Sequence, residues 1–177
     1  QDSNHLKELF QMIYYHDKPV IAQVEGHAIA GGCGLATVCD FIFAIPEAKF
    51  GYTEVKIGFV PAIVMIFLLR KIGEVKAREL LLTGDLKKAE EMKAIGLINE
   101  VYEMDDLHHK VREFALKIAE NTSGEAVALT REMIGEIQSM HVKDAINYAA
   151  ENNAKARSFD DCQKGIEAFL NKEELKW

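Results

Sequence analysis

Residues 18–61 read KPVIAQVEGHAIAGGCGLATVCDFIFAIPEAKFGYTEVKIGFVP, and no other stretch limits the fold of this chain so much. A short apolar run over residues 20–24 is bounded by Gly26, bends through Gly31, Gly32 and Gly34, and gives way to helix-like apolar residues over 35–40. Residues 41–44 form a second apolar run. Near-continuous apolarity suits strands covered on both faces. Two such strands joined by a helical segment predict a crossover, and so a parallel sheet. A strand that turns through glycines into a helix leaves N–H groups at the helix start without intrahelical partners. Such groups attract anions or developing negative charge.

Downstream, Phe50-Gly51-Tyr52-Thr53-Glu54-Val55-Lys56 carries a lone carboxylate, with apolar Val55, Ile57 and Phe59 expected around it. Backbone donors in one place and an isolated carboxylate in another are the parts needed to stabilise an oxyanion while a proton moves. Two plainer readings stand beside this one. Glu54 suits a solvated strand end paired with Lys56, and Gly31 suits a tight turn that needs positive φ.

With 177 residues and 49% hydrophobic content, the chain can bury a sizeable core. The pattern divides it into an α/β front over residues 1–104 and a helical back over 105–177. Its 28 acidic and 21 basic residues give a formal net charge of -7, and no basic cluster is present to hold nucleic acid. Cys33, Cys39 and Cys162 are an odd set without metal-site spacing, read as reduced core residues of a cytoplasmic protein. The first residue is Gln1 rather than Met, so a processed, trimmed or partial chain is expected. Residues 5–15 are amphipathic rather than a secretory signal, and the apolar run over 59–69 is broken by Pro61 and too short to span a bilayer. No membrane partner is expected.

Helical spacing of Leu6, Leu9, Phe10 and Ile13 predicts a helix over residues 4–16, ended by Pro19. Residues 61–71 predict a helix apolar almost all round, closed by Gly73, with a further helix over 76–82 and a turn at Thr83-Gly84-Asp85. A helix over 88–95 ends at Gly96, a short strand covers 97–102, and helices follow over 105–121, 124–140, 142–159 and 160–170. Helices in such a series often build oligomer contacts.

Nucleotide-binding readings of the glycines fail. Gly31 is followed by Gly32-Cys33 rather than Lys-Ser/Thr, and Gly32-x-Gly34 lacks the third glycine of a dinucleotide fingerprint. His5, His16, His27, His108, His109 and His141 show no metal spacing, and His27 reads as a loop residue. Cys33 has no base placed beside it in a known nucleophile arrangement and reads as a core residue.

The run KPVIAQVEGHAIAGGCGLATVCDFIFA, followed by AKFGYTEVKIGFVP and then LLLTGD and AEEMKAIGLINEV, resembles the enoyl-CoA hydratase/isomerase (crotonase) superfamily over roughly residues 18–101. The resemblance implies an α/β fold, a crotonase-like spiral of ββα turns missing its N-terminal part, with a helical C-terminal trimerisation region. It implies acyl-CoA thioester substrates, a homotrimer or dimer of trimers, and no metal or cofactor beyond the coenzyme A of the substrate.

Carried over by position, the family's glycine-loop donor falls on Gly31 and its second catalytic glutamate on Glu54, while Gly34 stands where hydratases commonly place a first glutamate. Ala30, Gly32, Gly34, Pro61 and Ala62 are implied to line the substrate. The family's other oxyanion donor comes from an upstream Ala-Gly-rich loop, expected from a missing segment or another piece. Gly34 together with Val-Pro-Ala-Ile-Val resembles the methylglutaconyl-CoA hydratase branch. The expected activity is hydration of a 2-enoyl-CoA in fatty-acid or branched-chain amino-acid degradation. The alternatives are a Δ3-Δ2-enoyl-CoA isomerase with one glutamate, and a catalytically silent acyl-CoA-binding fragment.

Overall fold

The computed structural model describes residues 2–177, which fall into two compact units. One takes in the chain as far as Tyr14 together with Val20–Arg112, and the other takes in Tyr15–Pro19 with Glu113–Trp177.

The first unit opens with α1 (Asp2–Tyr14), then β1 (Ile21–Val24), β2 (Ala28–Ile29), α2 (Gly31–Val38) and β3 (Phe41–Ala44). β1 and β3 pair in parallel, Ile21 with Phe41 through Val24 with Ala44, as the crossover pattern requires. β3 is the central strand, since β6 (Glu100–Val101) joins its other edge in parallel. Centrality explains its burial: β3 is covered from Ile42 onward, whereas β1, paired on one side among the described residues, is half-buried along its length rather than enclosed on both faces. β6 is shorter than the strand predicted over 97–102, because Asn99 substitutes for a strand partner. Its backbone N–H donates to Ile42 O at 2.9 Å and its side-chain Oδ1 accepts from Ile42 N–H at 2.7 Å.

A second sheet was hidden in the sequence. β2 pairs in parallel with β4 (Lys49–Gly51), which pairs antiparallel with β5 (Lys87–Lys88). Strands this short leave too few residues for an alternation to register. Beyond β4, a 3-10 turn spans Thr53–Ile57 and leads to α3 (Ala62–Thr83). The predicted break at Gly73 is present as a kink with φ 73°, ψ 171°, a conformation that glycine alone adopts without strain. α4 (Ala89–Ala94) starts with Glu91 accepting the Lys88 N–H at 2.9 Å and ends before Gly96, φ 85°.

α1 docks through Phe10, fully buried, whose ring lies 5.6 Å from Phe67 of α3, and Tyr14 lies 5.2 Å from the same ring. Side chains of this size contribute roughly 1.5–3 kcal/mol each when buried. α5 (Met104–Asn121) carries the chain from the first unit into the second.

The second unit holds α6 (Gly124–Ile137), α7 (Val142–Ala156) and α8 (Asp160–Asn171), close to the predicted spans. Ser123 caps α6 by accepting from Ala126 N–H at 3.1 Å and donates to Asp161 Oδ2 at 2.6 Å. Glu125 accepts the Asp161 N–H at 3.1 Å, so the starts of α6 and α8 are tied twice. The Arg131 guanidinium donates to the His16 carbonyl. Among the described residues no helix is long and apolar enough to cross a membrane.

Candidate active site

The first turn of α2 begins at Gly31, four residues earlier than the sequence pattern placed it. The residue with positive φ is Ala30 (φ 52°, ψ −123°), not a glycine, so the turn reading of Gly31 does not hold. Ala30 is held there by its N–H donating to Gly51 O at 2.8 Å, and its own carbonyl accepts from Gly34 N–H at 3.0 Å. That is the first α-helical bond of the turn. The N–H groups of Gly31 and Gly32 precede it and point out of the helix start, as a donor pair for an anionic oxygen requires. A Cβ on either glycine would meet nothing within 4 Å, and both residues are exposed. Open space above these donors lets another molecule approach the backbone closely.

Gly34 is different. A Cβ there would lie 2.0 Å from Val64 Cγ1 and 3.2 Å from Phe10 Cζ. The position that could have carried a first carboxylate is therefore filled by Val64, from the Pro61-Ala62-Ile63-Val64 run. Gly34 packs in the core between α1, α2 and α3 rather than beside open space. Pro61, buried, precedes α3 and its carbonyl accepts from Met65 N–H at 3.1 Å, while Ala62 is exposed at the helix start.

Glu54 sits in the 3-10 turn, half-buried, and its Oε2 is buried without a hydrogen-bond partner among the described residues. A buried carboxylate oxygen left unpaired costs free energy, so its retention at this position points to use. The pairing with Lys56 is absent, because the Lys56 ammonium lies 3.2 Å from Asp85 Oδ1 instead. Nor do the apolar sequence neighbours enclose it. Ile57 is 83% exposed and Phe59 62% exposed. A 3-10 turn rotates successive side chains by about a third of a circle, so neighbours in sequence cannot all surround Glu54. The turn is closed by Phe59 N–H donating to Glu54 O at 3.0 Å and by Gly58 at φ 77°.

Between these two parts lies a group that sequence reasoning missed. Cys33, Thr37 and Tyr52 are all 0% exposed. Thr37 Oγ1 lies 2.7 Å from Cys33 O and 2.6 Å from Tyr52 Oη. Burial pushes the Cys33 thiol up to about 11, and the nearby Glu54 carboxylate works in the same direction, against the hydrogen bonds to Tyr52, Gly51 and Thr37. Cys33 is thus an inert neutral thiol, as expected for a core residue. Burial, foremost, also raises the Tyr52 hydroxyl well above its ordinary range. The signal that could have found the group is the spacing of Cys33 and Thr37, four apart on one helix face, with a tyrosine two residues before the candidate acid. His27 is exposed and accepts from Lys49 N–H at 3.3 Å, as a loop residue does.

By fold this is a crotonase-type α/β chain. It superimposes with a TM-score of 0.91 on the crystal structure of an enoyl-CoA hydratase from Mycobacterium smegmatis, at 27% identity over 99% of this chain and 68% of that one. Residues 1–177 match the family model described as enoyl-CoA hydratase/isomerase, and the chain belongs to that family. It is 41% identical over 167 residues to a Thermus thermophilus protein provisionally named an enoyl-CoA hydratase, covering 94% of this chain and 66% of that protein. It is 35% identical over 168 residues to a crotonyl-CoA hydratase of Syntrophomonas wolfei, covering 94% of this chain and 64% of that protein. The chain therefore spans slightly less than two thirds of the length of these relatives.

Proposed function

We propose that this chain belongs to an enzyme that adds water across the double bond of a 2-enoyl-CoA thioester, with Gly31 as oxyanion donor and Glu54 as the acid and base. The observation that carries the reading is the buried, unpartnered Oε2 of Glu54. Attack of water at Cβ moves an electron pair onto the thioester oxygen as an enolate. Glu54 takes the proton that water releases and returns it to Cα, so one carboxylate completes the reaction and no cofactor is called on. A preorganised N–H aimed at the enolate oxygen contributes on the order of 3–4 kcal/mol. The names of the relatives support hydration. Methylglutaconyl-CoA is the substrate suggested by Gly34 with the Val-Pro-Ala-Ile-Val run, and a cytoplasmic homotrimer or dimer of trimers, joined through the helices after residue 105, is its setting.

A second reading has its own observation. Val64 closes the position of a first carboxylate, and shifting a double bond between Cα and Cγ needs a single base. Incubation with crotonyl-CoA, a 3-enoyl-CoA and 3-methylglutaconyl-CoA separates the two. Gain of one water by mass spectrometry supports the hydratase, and migration of the double bond at constant mass supports the isomerase. No change with any of them leaves a silent acyl-CoA-binding fragment. Glu54→Gln is expected to lower turnover by at least about 100-fold while sparing thioester binding. Undiminished turnover in that variant would remove Glu54 from the mechanism.

A further inference from the structure

Cys33, Thr37 and Tyr52 lie in the core of the first unit with no exposed surface, so each polar group must find its partner inside the protein. Elementary bookkeeping of donors orders their protons. Cys33 O is a carbonyl and can only accept, so the single hydroxyl proton of Thr37 goes to it across 2.7 Å. Thr37 Oγ1 must then accept across 2.6 Å, which makes Tyr52 the donor. The result is a relay of two hydrogen bonds that runs from Tyr52 through Thr37 to the Cys33 carbonyl.

The relay has a place in the site. One half belongs to the opening turns of α2, two residues from Gly31, and the other half to Tyr52, two residues before Glu54. A second tie, Ala30 N–H to Gly51 O at 2.8 Å, runs parallel to it. The donor turn and the acid-bearing turn are thus clamped to each other on both sides of Gly31. From this geometry we infer that Thr37 and Tyr52 are positioning residues, whose hydroxyl pair sets the oxyanion donor at Gly31 and the carboxylate of Glu54 in register for proton transfer. The inference rests on the functional reading above.

Steady-state kinetics with crotonyl-CoA test it on Tyr52→Phe, Thr37→Val and the conservative Thr37→Ser. Cutting the relay with either of the first two is expected to lower kcat by about 10- to 100-fold, with KM for the thioester changed less than threefold, as a misplacement of reacting groups does. Thr37→Ser keeps the hydroxyl and is expected to retain kcat within about twofold of the parent. The Tyr52→Phe/Thr37→Val double variant should be no slower than the slower single variant, because both cut one link. Where Tyr52→Phe folds too poorly to assay, Thr37→Val makes the same cut while keeping the shape of the side chain. Kcat within twofold of the parent in folded Thr37→Val or Tyr52→Phe overturns the positioning role, even if melting temperature falls. Glu54→Gln, run alongside, separates this from the broader reading: full activity there, or no turnover by the parent chain, overturns the site assignment itself.

Discussion

At Gly34 a single hydrogen atom decides what the site can contain. Its missing Cβ leaves room for Val64 Cγ1, 2.0 Å from where a methyl would stand. Gly34→Ala is expected to cost about 1–3 kcal/mol through overpacking, read as a lower melting temperature, and Gly34→Ala/Val64→Ala should recover part of that loss. A Gly34→Ala variant as stable as the parent would mean that α3 yields freely at this point. The absence of a carboxylate at position 34 was legible from the sequence, and so was the Val64 run, but not that one excludes the other. Helical spacing along α2 does not say which residue of α3 faces it. Glu54 was singled out from its motif as the candidate acid. Its unpaired oxygen was not, because Ile57 and Phe59, apolar neighbours in sequence, turn to solvent. Nothing in the spacing of Thr37 and Tyr52, 15 residues apart, says that their hydroxyls meet.

Among the elements, those with a full turn or more of periodic apolar residues were readable, and the two-residue strands β2 and β5 were not. The helices of the second unit, the break at Gly73 and the strand Phe41–Ala44 all follow from spacing and glycine placement. β2 and β5 exist only because β4 is there to pair with them, a tertiary cause that leaves no local pattern. The start of α2 was misread because glycines signal a bend, whereas here they form the first helical turn behind Ala30. The best-tied helix start is that of α6. Ser123 satisfies Ala126 N–H and at the same time donates to Asp161 at the start of α8. Ser123→Ala is expected to lower stability by about 1–2 kcal/mol, and Ser123→Thr to keep most of it. Denaturant titration of the three proteins checks this, and an unchanged midpoint in Ser123→Ala would contradict it.

For the molecule as a whole, the buried thiol and phenol set a limit at high pH. Burial raises Cys33 from 9.0 to about 11 in the fold and moves Tyr52 upward too, so both stay protonated in the native state at a pH where the unfolded chain releases those protons. The unfolded state then binds fewer protons, and stability falls as pH rises. The contribution is fully present below about pH 9 and is lost on the way to pH 11. Melting temperature is expected to drop over this window, and to drop less in Cys33→Ala. Equal slopes in the two proteins would show that general repulsion in a chain of net charge -7 causes the fall.

Asn99 bears on how this molecule comes together in time. β3 is closed on one edge by β1, 20 residues away along the chain, and on the other through the Ile42–Asn99 pair, 57 residues away. Closing the longer loop costs roughly 1 kcal/mol more in chain entropy, and contacts that are far apart in sequence form late. The β1–β3 pair, which brackets the glycine turn and its donors, is therefore expected to form before β6 joins the sheet. Asn99, whose side chain and backbone both grip Ile42, is the latch that fixes the register of β6 on β3.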